Sequence, residues 1–367
     1  MKRGTSKFLV SALVLLLAFS IVATPFLSIE KVNAQEEGSW TTLAPLPMET
    51  SAKGVALALN EKIYYMNSNM TLCYDPETNN WTKLSPPPIP KGGVYAACQN
   101  KIYVLGGSTG VPTRVYDPAT DTWENRTSTH ETRGIVHANV VDGKIYVMGG
   151  QYLGFITLLY PVSSNYVYDP ETDTWSQMAD IPVGVGGYAS AVVDGKIYII
   201  SGGMDFPHHP YTNLVQIFDP ATNQWTNGTS IPTHVYNARA CVITEPSGKK
   251  QIHVIGGQLR YSWQVIPDID GVDLHQVYDP ETDTWTNATA MPTPRTGLGL
   301  VTLYNEIYAI GGEHNGTFLL ANEKYTPSGY IPEFPTWSPV LVMVVALVAM
   351  IVVYRYNLKK LRGWATA

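Results

Sequence analysis

The sequence predicts an all-β fold in which six four-stranded blades stack radially and an N-terminal strand closes the ring. Three observations carry that expectation. An apolar run appears at 62–66, 101–107, 144–150, 196–203, 251–257 and 306–312, and ends in Gly-Gly in every copy but the first, which has Asn67-Ser68. A second signature, Tyr-Asp-Pro-x-Thr-x-x-Trp, follows at 74–81, 116–123, 168–175, 218–225 (with Phe218 for the tyrosine) and 278–285. The sixth copy stops at Tyr325-Thr326-Pro327, and the tryptophan it lacks stands at the other end of the chain as Trp40.

From the N-terminus, Lys2, Arg3 and Lys7 precede an apolar run from Phe8 to Ala23, and Val32-Asn33-Ala34 offers small residues before a cut. Residues 1–34 therefore read as a secretory signal helix. An uncleaved anchor is the alternative. Residues 35–329 hold the repeats. Each unit parses into four short strands separated by turn residues, for example 137–141, 144–148, a strand ending at Tyr168 and one starting at Trp175. One such sheet cannot bury both faces alone, but radial stacking covers them. The segment around Trp40 would supply the outer strand that 323–326 leaves unpaired. Residues 330–337 form a proline-rich spacer. The uncharged stretch 338–354 reads as a transmembrane helix flanked by Trp337 and Tyr354, and Arg355, Lys359, Lys360 and Arg362 make 355–367 a basic cytoplasmic tail. The expected localisation is the cell membrane, with the repeats outside.

Charge excludes some partners. The 367-residue chain carries net −6, of which the N-terminal segment contributes +3 and the tail +4, leaving −13 between them. A nucleic-acid partner is not expected. Three cysteines, Cys73, Cys98 and Cys241, are too few for a disulfide framework and are expected as free thiols. Sequons at Asn69, Asn80, Asn125, Asn227, Asn287 and Asn315 fit an exported, glycosylated surface.

The double glycine with spaced tyrosine and tryptophan resembles the kelch repeat family, over roughly residues 39–329. The resemblance implies a six-bladed propeller. It also implies mostly binding scaffolds, with a minority of enzymes such as galactose oxidase and N-acetylneuraminate epimerase. Just before the apolar stretch, Pro332-Glu333-Phe334-Pro335 is similar to the PEF-type sorting tails of archaeal surface proteins. That similarity implies a peptidase that cuts there and exchanges the helix for a lipid.

Strand alternation locates a site. With strands A to D running outward from the axis, the A-to-B and C-to-D turns share one face, where Asp75, Asp117, Asp169, Asp219 and Asp279 read as turn formers. The B-to-C loops and the entries into each A strand share the other face. There the loops vary in length, and Lys53, Lys91, Arg133, Arg239 and Arg295 each stand just before a small residue at five of six entries, whereas blade four has Gly186-Gly187. These cations, with Tyr152, Arg260, Tyr261, Trp263 and His314 on the mouth loops, are the candidate ligand-binding set. Structural pairing with neighbouring blades is the competing reading. No metal or other cofactor is expected: His208, His209, Asp205 and His234, or Asp268, Asp270 and Asp273, lack a fixed ligand spacing. Glu131 and Glu313 are the candidates for acid–base work on a sugar, but nothing raises them above ordinary loop residues. The leading expectation is a surface-anchored binding or adhesion module for a glycan, an anionic ligand or a protein. The alternatives are an extracytoplasmic carbohydrate enzyme, epimerase- or mutarotase-like, and a structural coat component.

Overall fold

A computed structural model describes residues 38–48, 53–88, 93–106, 111–128, 137–153, 159–203, 211–259 and 271–329. The expected signal segment, spacer, membrane helix, sorting motif and tail lie outside these residues. Among the described residues no helix is long and apolar enough to cross a membrane.

The chain opens with β1 (Ser39–Thr42) and then lays down the blades in order. Blade one is β2 (Val55–Leu59), β3 (Lys62–Asn67), β4 (Met70–Asp75) and β5 (Asn80–Leu84); blade two is β6 (Val94–Cys98), β7 (Lys101–Leu105), β8 (Thr113–Asp117) and β9 (Thr122–Arg126). Blade three is β10 (Ala138–Val141), β11 (Lys144–Met148), β14 (Asn165–Asp169) and β15 (Thr174–Gln177), with a hairpin of β12 (Gln151–Leu153) and β13 (Leu159–Pro161) inserted in its B-to-C loop. Blade four is β16 (Ala189–Val193), β17 (Lys196–Ile200), β18 (Val215–Asp219) and β19 (Gln224–Gly228). Blade five is β20 (Arg239–Thr244), β21 (Lys250–Ile255), β22 (His275–Asp279) and β23 (Thr284–Asn287). Blade six is β24 (Gly299–Leu303), β25 (Glu306–Ile310), β28 (Asn322–Thr326) and β1, with a small hairpin of β26 (Glu313–His314) and β27 (Thr317–Phe318).

The ring closes as the sequence predicts. β1 pairs antiparallel with β28, placing Trp40 opposite Tyr325. Strand β28 is thereby paired on both sides, like the third strand of every other blade. Each seam between neighbouring blades has its own apolar cluster: Tyr308 and Ile310 of blade six pack with Ile63, Tyr65 and Leu72 of blade one, and Tyr278 and Val254 of blade five with Tyr198 and Ile200 of blade four. Burial between sheets, not within one sheet, holds the ring together.

The repeated signature residues are the polar stitches of these seams. Each tryptophan reaches back with its indole N–H to a carbonyl of the preceding blade, at 2.8–3.4 Å, on Ala44, Ser85, Thr127, Ala179 and Thr229. Trp40 does the same to Thr289 O at 3.0 Å, filling the place its repeat lacks. The signature tyrosines donate at 2.5–2.7 Å to a turn residue five positions on, namely Asn79, Asp121, Asp173 and Asp283. Those turn residues and Asn223 hold φ of 53–55°, a left-handed conformation that Asn and Asp tolerate. The same carboxylate or amide oxygens cap a backbone N–H of the preceding blade, as Asp173 does for Thr127 N at 3.0 Å.

The Asp-Pro turns behave as expected: Asp75, Asp117, Asp169, Asp219 and Asp279 accept the N–H two residues on at 2.9–3.0 Å. Their second oxygens also meet lysines, as in Lys62–Asp75 (2.7 Å) and Lys144–Asp169 (2.9 Å). These exposed pairs contribute little. On the other face the glycine pairs let blades approach closely. A Cβ on Gly256, at φ +67°, would stand 2.6 Å from Arg295 O, and Gly257 N donates to that carbonyl at 2.9 Å.

Candidate binding site in the central channel

The first residues of the innermost strands surround the axis. Strand register aligns Val55, Val94, Ala189, Arg239 and Gly299, each opposite the last apolar residue of its B strand, and places His137 in the same row of blade three. Four of these six are aliphatic or glycine, so His137 and Arg239 stand out. A channel cavity of about 410 Å³ opens here, lined by residues of all six blades, from Lys53 and Asn67 of blade one to Leu300 of blade six. It lies on the face of the strand entries and B-to-C loops, where the sequence places a site.

Arg239 crosses part of this cavity. Its Nε donates to Leu298 O at 3.1 Å, and Nη1 lies 2.7 Å from His137 Nε2, with His137 Nδ1 at 2.5 Å. Burial pulls the guanidinium down to about 10, which leaves it charged at neutral pH. Burial first, and then the adjacent Arg239 charge, holds His137 well below the usual histidine range, so its ring is neutral and packs against Nη1 without a charge of its own. No Asp or Glu lines the cavity among the described residues. Arg239 forms no ion pair there either, and Nη2 is left without a hydrogen-bond partner among them.

Two further polar side chains line the space. Asn139 is 5% exposed, and its Nδ2 has no hydrogen-bond partner among the described residues. Ser190 of blade four lies on the same wall. Asn139 belongs to the row opposite the B-strand aromatic position, which holds Leu57, Ala96, Ala191, Cys241 and Val301 in the other blades. A buried amide in a row otherwise without a strong hydrogen-bonding side chain is costly unless something meets it.

The expected cation ring divides. Lys53 lines the channel and pairs with Glu313 Oε2 at 3.1 Å. Arg239 lines it without a carboxylate. Arg295 does not reach the mouth at all: it is 0% exposed. Its guanidinium is ion-paired with Glu323 and donates to the carbonyls of Gly311 and Ala321 at 3.2 Å each. The reason is register. Gly257 N bonds Arg295 O as Gly202 N bonds Val235 O and Gly150 N bonds Val185 O, so Arg295 occupies the buried position of Val185 and Val235, four residues before the Arg239 row. Here the structural-pairing reading replaces the ligand-binding one.

Lys91, Arg133, Arg260, Tyr261 and Trp263 lie outside the described residues, as do Glu131, Asp205, His208, His209, Asp268 and Asp270. Tyr152 is on β12 of the mouth hairpin opposite Tyr160. His314 is on β26, opposite Thr317. The six sequon asparagines are all exposed, and Asn69 sits in the B-to-C loop of blade one beside the cavity residues Asn67 and Ser68. Cys73, Cys98 and Cys241 are free thiols. Burial pushes Cys241 up to about 12, so it is unreactive at neutral pH. Sequence reasoning passed over His137 and Asn139. Lining up the inner strands row by row exposes both.

With this geometry in view, comparison with known proteins agrees with the repeat signature. Residues 59–257 match the family described as the KLHDC2/KLHL20/DRC7 Kelch-repeats domain. The chain belongs to the kelch-repeat family. Similar curated proteins include Kelch-like protein 35 of Mus musculus, 28% identical over 65% of this chain and 38% of that protein. Kelch-like protein terF of Aspergillus terreus is 30% identical over 68% of this chain and 55% of that protein, and Kelch-like protein 23 of Pongo abelii is 25% identical over 78% and 50%. The match thus spans about half or less of these relatives. Among solved structures, that of YjhT superposes with a TM-score of 0.63 at 18% identity, covering 77% of this chain and 96% of that one, which shows the shared fold.

Proposed function

We propose that this kelch propeller is a binding module, held at the cell surface by its C-terminal segment, that engages an extracellular protein or glycan with the face carrying the channel mouth. The observation that carries the reading is the contrast between the faces. One repeats the same Asp-Pro turns, with their hydrogen bonds already satisfied. The other carries the β12–β13 and β26–β27 hairpins and the cavity in which Arg239 meets no carboxylate among the described residues. Loops of different length on a rigid repeated frame supply specificity without disturbing the core. Kelch propellers are typically protein-binding modules, which favours a protein partner over sugar chemistry. The basic tail and apolar stretch of the sequence support an outward-facing propeller with the tail inside.

The test is hydroxyl-radical footprinting of the full chain on cells that display it, with and without a ligand selected from a glycan array or by cross-linking. Protection is expected at 53–57, 67–69 and 313–318. Protection confined to the turns at 75–79, 117–121 and 279–283 would overturn the reading. Protease shaving of intact cells addresses topology: loss of propeller peptides with retention of a peptide from 355–367 is expected.

A further inference from the structure

We propose that the central channel binds a carboxylate-bearing small molecule, its carboxylate held between the Arg239 guanidinium and the Asn139 amide; this rests on the mouth face being the binding face. Three features of the cavity point to an anion. The lining includes Lys53 and Arg239 but no Asp or Glu among the described residues, and the Lys53 charge is already met by Glu313. Among the described lining residues Arg239 is therefore the cation that meets no carboxylate. Its Nε and Nη1 are engaged by Leu298 O and His137, which fixes the plane of the group and leaves Nη2 with no acceptor among the described residues.

The second feature is Asn139. Its Nδ2 is buried, lines the same cavity and has no hydrogen-bond partner among the described residues, so it presents donors to whatever fills the space. Ser190 adds a hydroxyl that donates or accepts. The third feature is that, among the described residues, no second cation without a carboxylate partner lines the cavity beside Arg239. A dianionic phosphate draws on several cations, whereas one oriented guanidinium edge with one amide suits the flat, singly charged carboxylate. The neutral His137 adds no second charge. The remaining wall, including Val55, Val94, Tyr95 and Leu300, is apolar enough to cover the body of the molecule, and about 410 Å³ admits one of monosaccharide size.

The experiment is ligand-observed saturation-transfer NMR on the full chain with acetate, D-glucuronate, D-glucose and inorganic phosphate as probes. Wild type is expected to bind both carboxylates saturably, with glucuronate well above glucose and above phosphate. Arg239→Gln should weaken glucuronate about tenfold or more, the scale of a lost charge-assisted hydrogen bond. Asn139→Leu, which removes the donors and keeps the volume, should weaken it severalfold while the protein melts no lower than wild type. Arg239→Lys keeps the charge without the fork and should fall between. Phosphate binding as tightly as glucuronate, glucose binding equally well, no saturable carboxylate signal, or full retention of binding in a folded Arg239→Gln or Asn139→Leu would each overturn the proposal. If the carboxylates fail but footprints still map to the mouth, only this inference falls; if the footprints map to the turn face, the proposed function itself falls.

Discussion

Arg239 and Arg295 enter neighbouring blades, each just ahead of a small residue, and they meet opposite fates. Arg295 is sealed in the last seam with Glu323, two backbone carbonyls and the Met291 sulfur at 3.2 Å around it. Arg239 lies in the channel with one carbonyl and one neutral imidazole. A displacement of four residues relative to strand register separates them. Arg295 is thus satisfied by its own seam, while Arg239, on the axis, meets no carboxylate among the described residues. Seam variants should therefore cost stability, and axis variants should cost binding.

The largest seam effect is expected at Arg295. Arg295→Met leaves the Glu323 carboxylate buried without its partner and should destabilise by about 3–5 kcal/mol. The double variant Arg295→Met/Glu323→Leu should recover most of that loss in chemical denaturation of the full chain. A double variant as unstable as the single one would count against the ion pair as the cause.

Next is the closing seam. Trp40 supplies an indole bond to Thr289 O and packs on Tyr325, with ring centroids 5.3 Å apart. Trp40→Ala should cost about 3 kcal/mol, and deletion of residues 39–47 more. The loss should appear in the whole unfolding transition and not as fraying of one end. A single transition at the wild-type midpoint would show that the ring does not depend on this strand.

Acid probes the same seam. His253 Nδ1 and His275 Nε2 are 2.8 Å apart, and both rings are buried. Burial lowers His275 to about 4, and burial with the neighbouring imidazole holds His253 well below the usual range. Both are neutral when folded, so below about pH 6.5 the unfolded chain takes up more protons and stability falls with pH toward the folded values. Between pH 7 and pH 5 His275 alone should remove about 2 kcal/mol. Urea titrations at the two pH values check this, and a His275→Phe variant should flatten the dependence.

A smaller effect is expected where a signature tyrosine loses its hydroxyl. Tyr278→Phe breaks the 2.5 Å bond to Asp283 and should cost about 1 kcal/mol, since Asp283 keeps its 2.6 Å bond from Thr229 N. Blade four already carries Phe218 at this position.

The legible part of this protein is the part that repeats. The Gly-Gly runs, the Tyr-to-Trp spacing and the displaced Trp40 predict six blades and the way they close, because each repeat meets the same seam and needs the same atoms there. The faces were legible too, since strand alternation alone assigns them. What stayed hidden is specific to single blades. Arg295 looks like Arg239 when aligned by its small neighbour and separates from it only when strand pairing sets the register. His137 reads as the start of an apolar stretch, and Asn139 shows as an exception only beside Leu57, Ala96, Ala191, Cys241 and Val301. No local pattern marks such residues, because their neighbours come from other blades.

The division between seam and axis is tested most directly by measuring the unfolding free energies of Arg239→Gln and Arg295→Gln side by side, on the full chain in the same denaturant series. The account predicts that Arg295→Gln loses about 3 kcal/mol or more, through the stranded Glu323 carboxylate, while Arg239→Gln stays within about 1 kcal/mol of wild type. Equal losses, or a larger loss at Arg239, would contradict it.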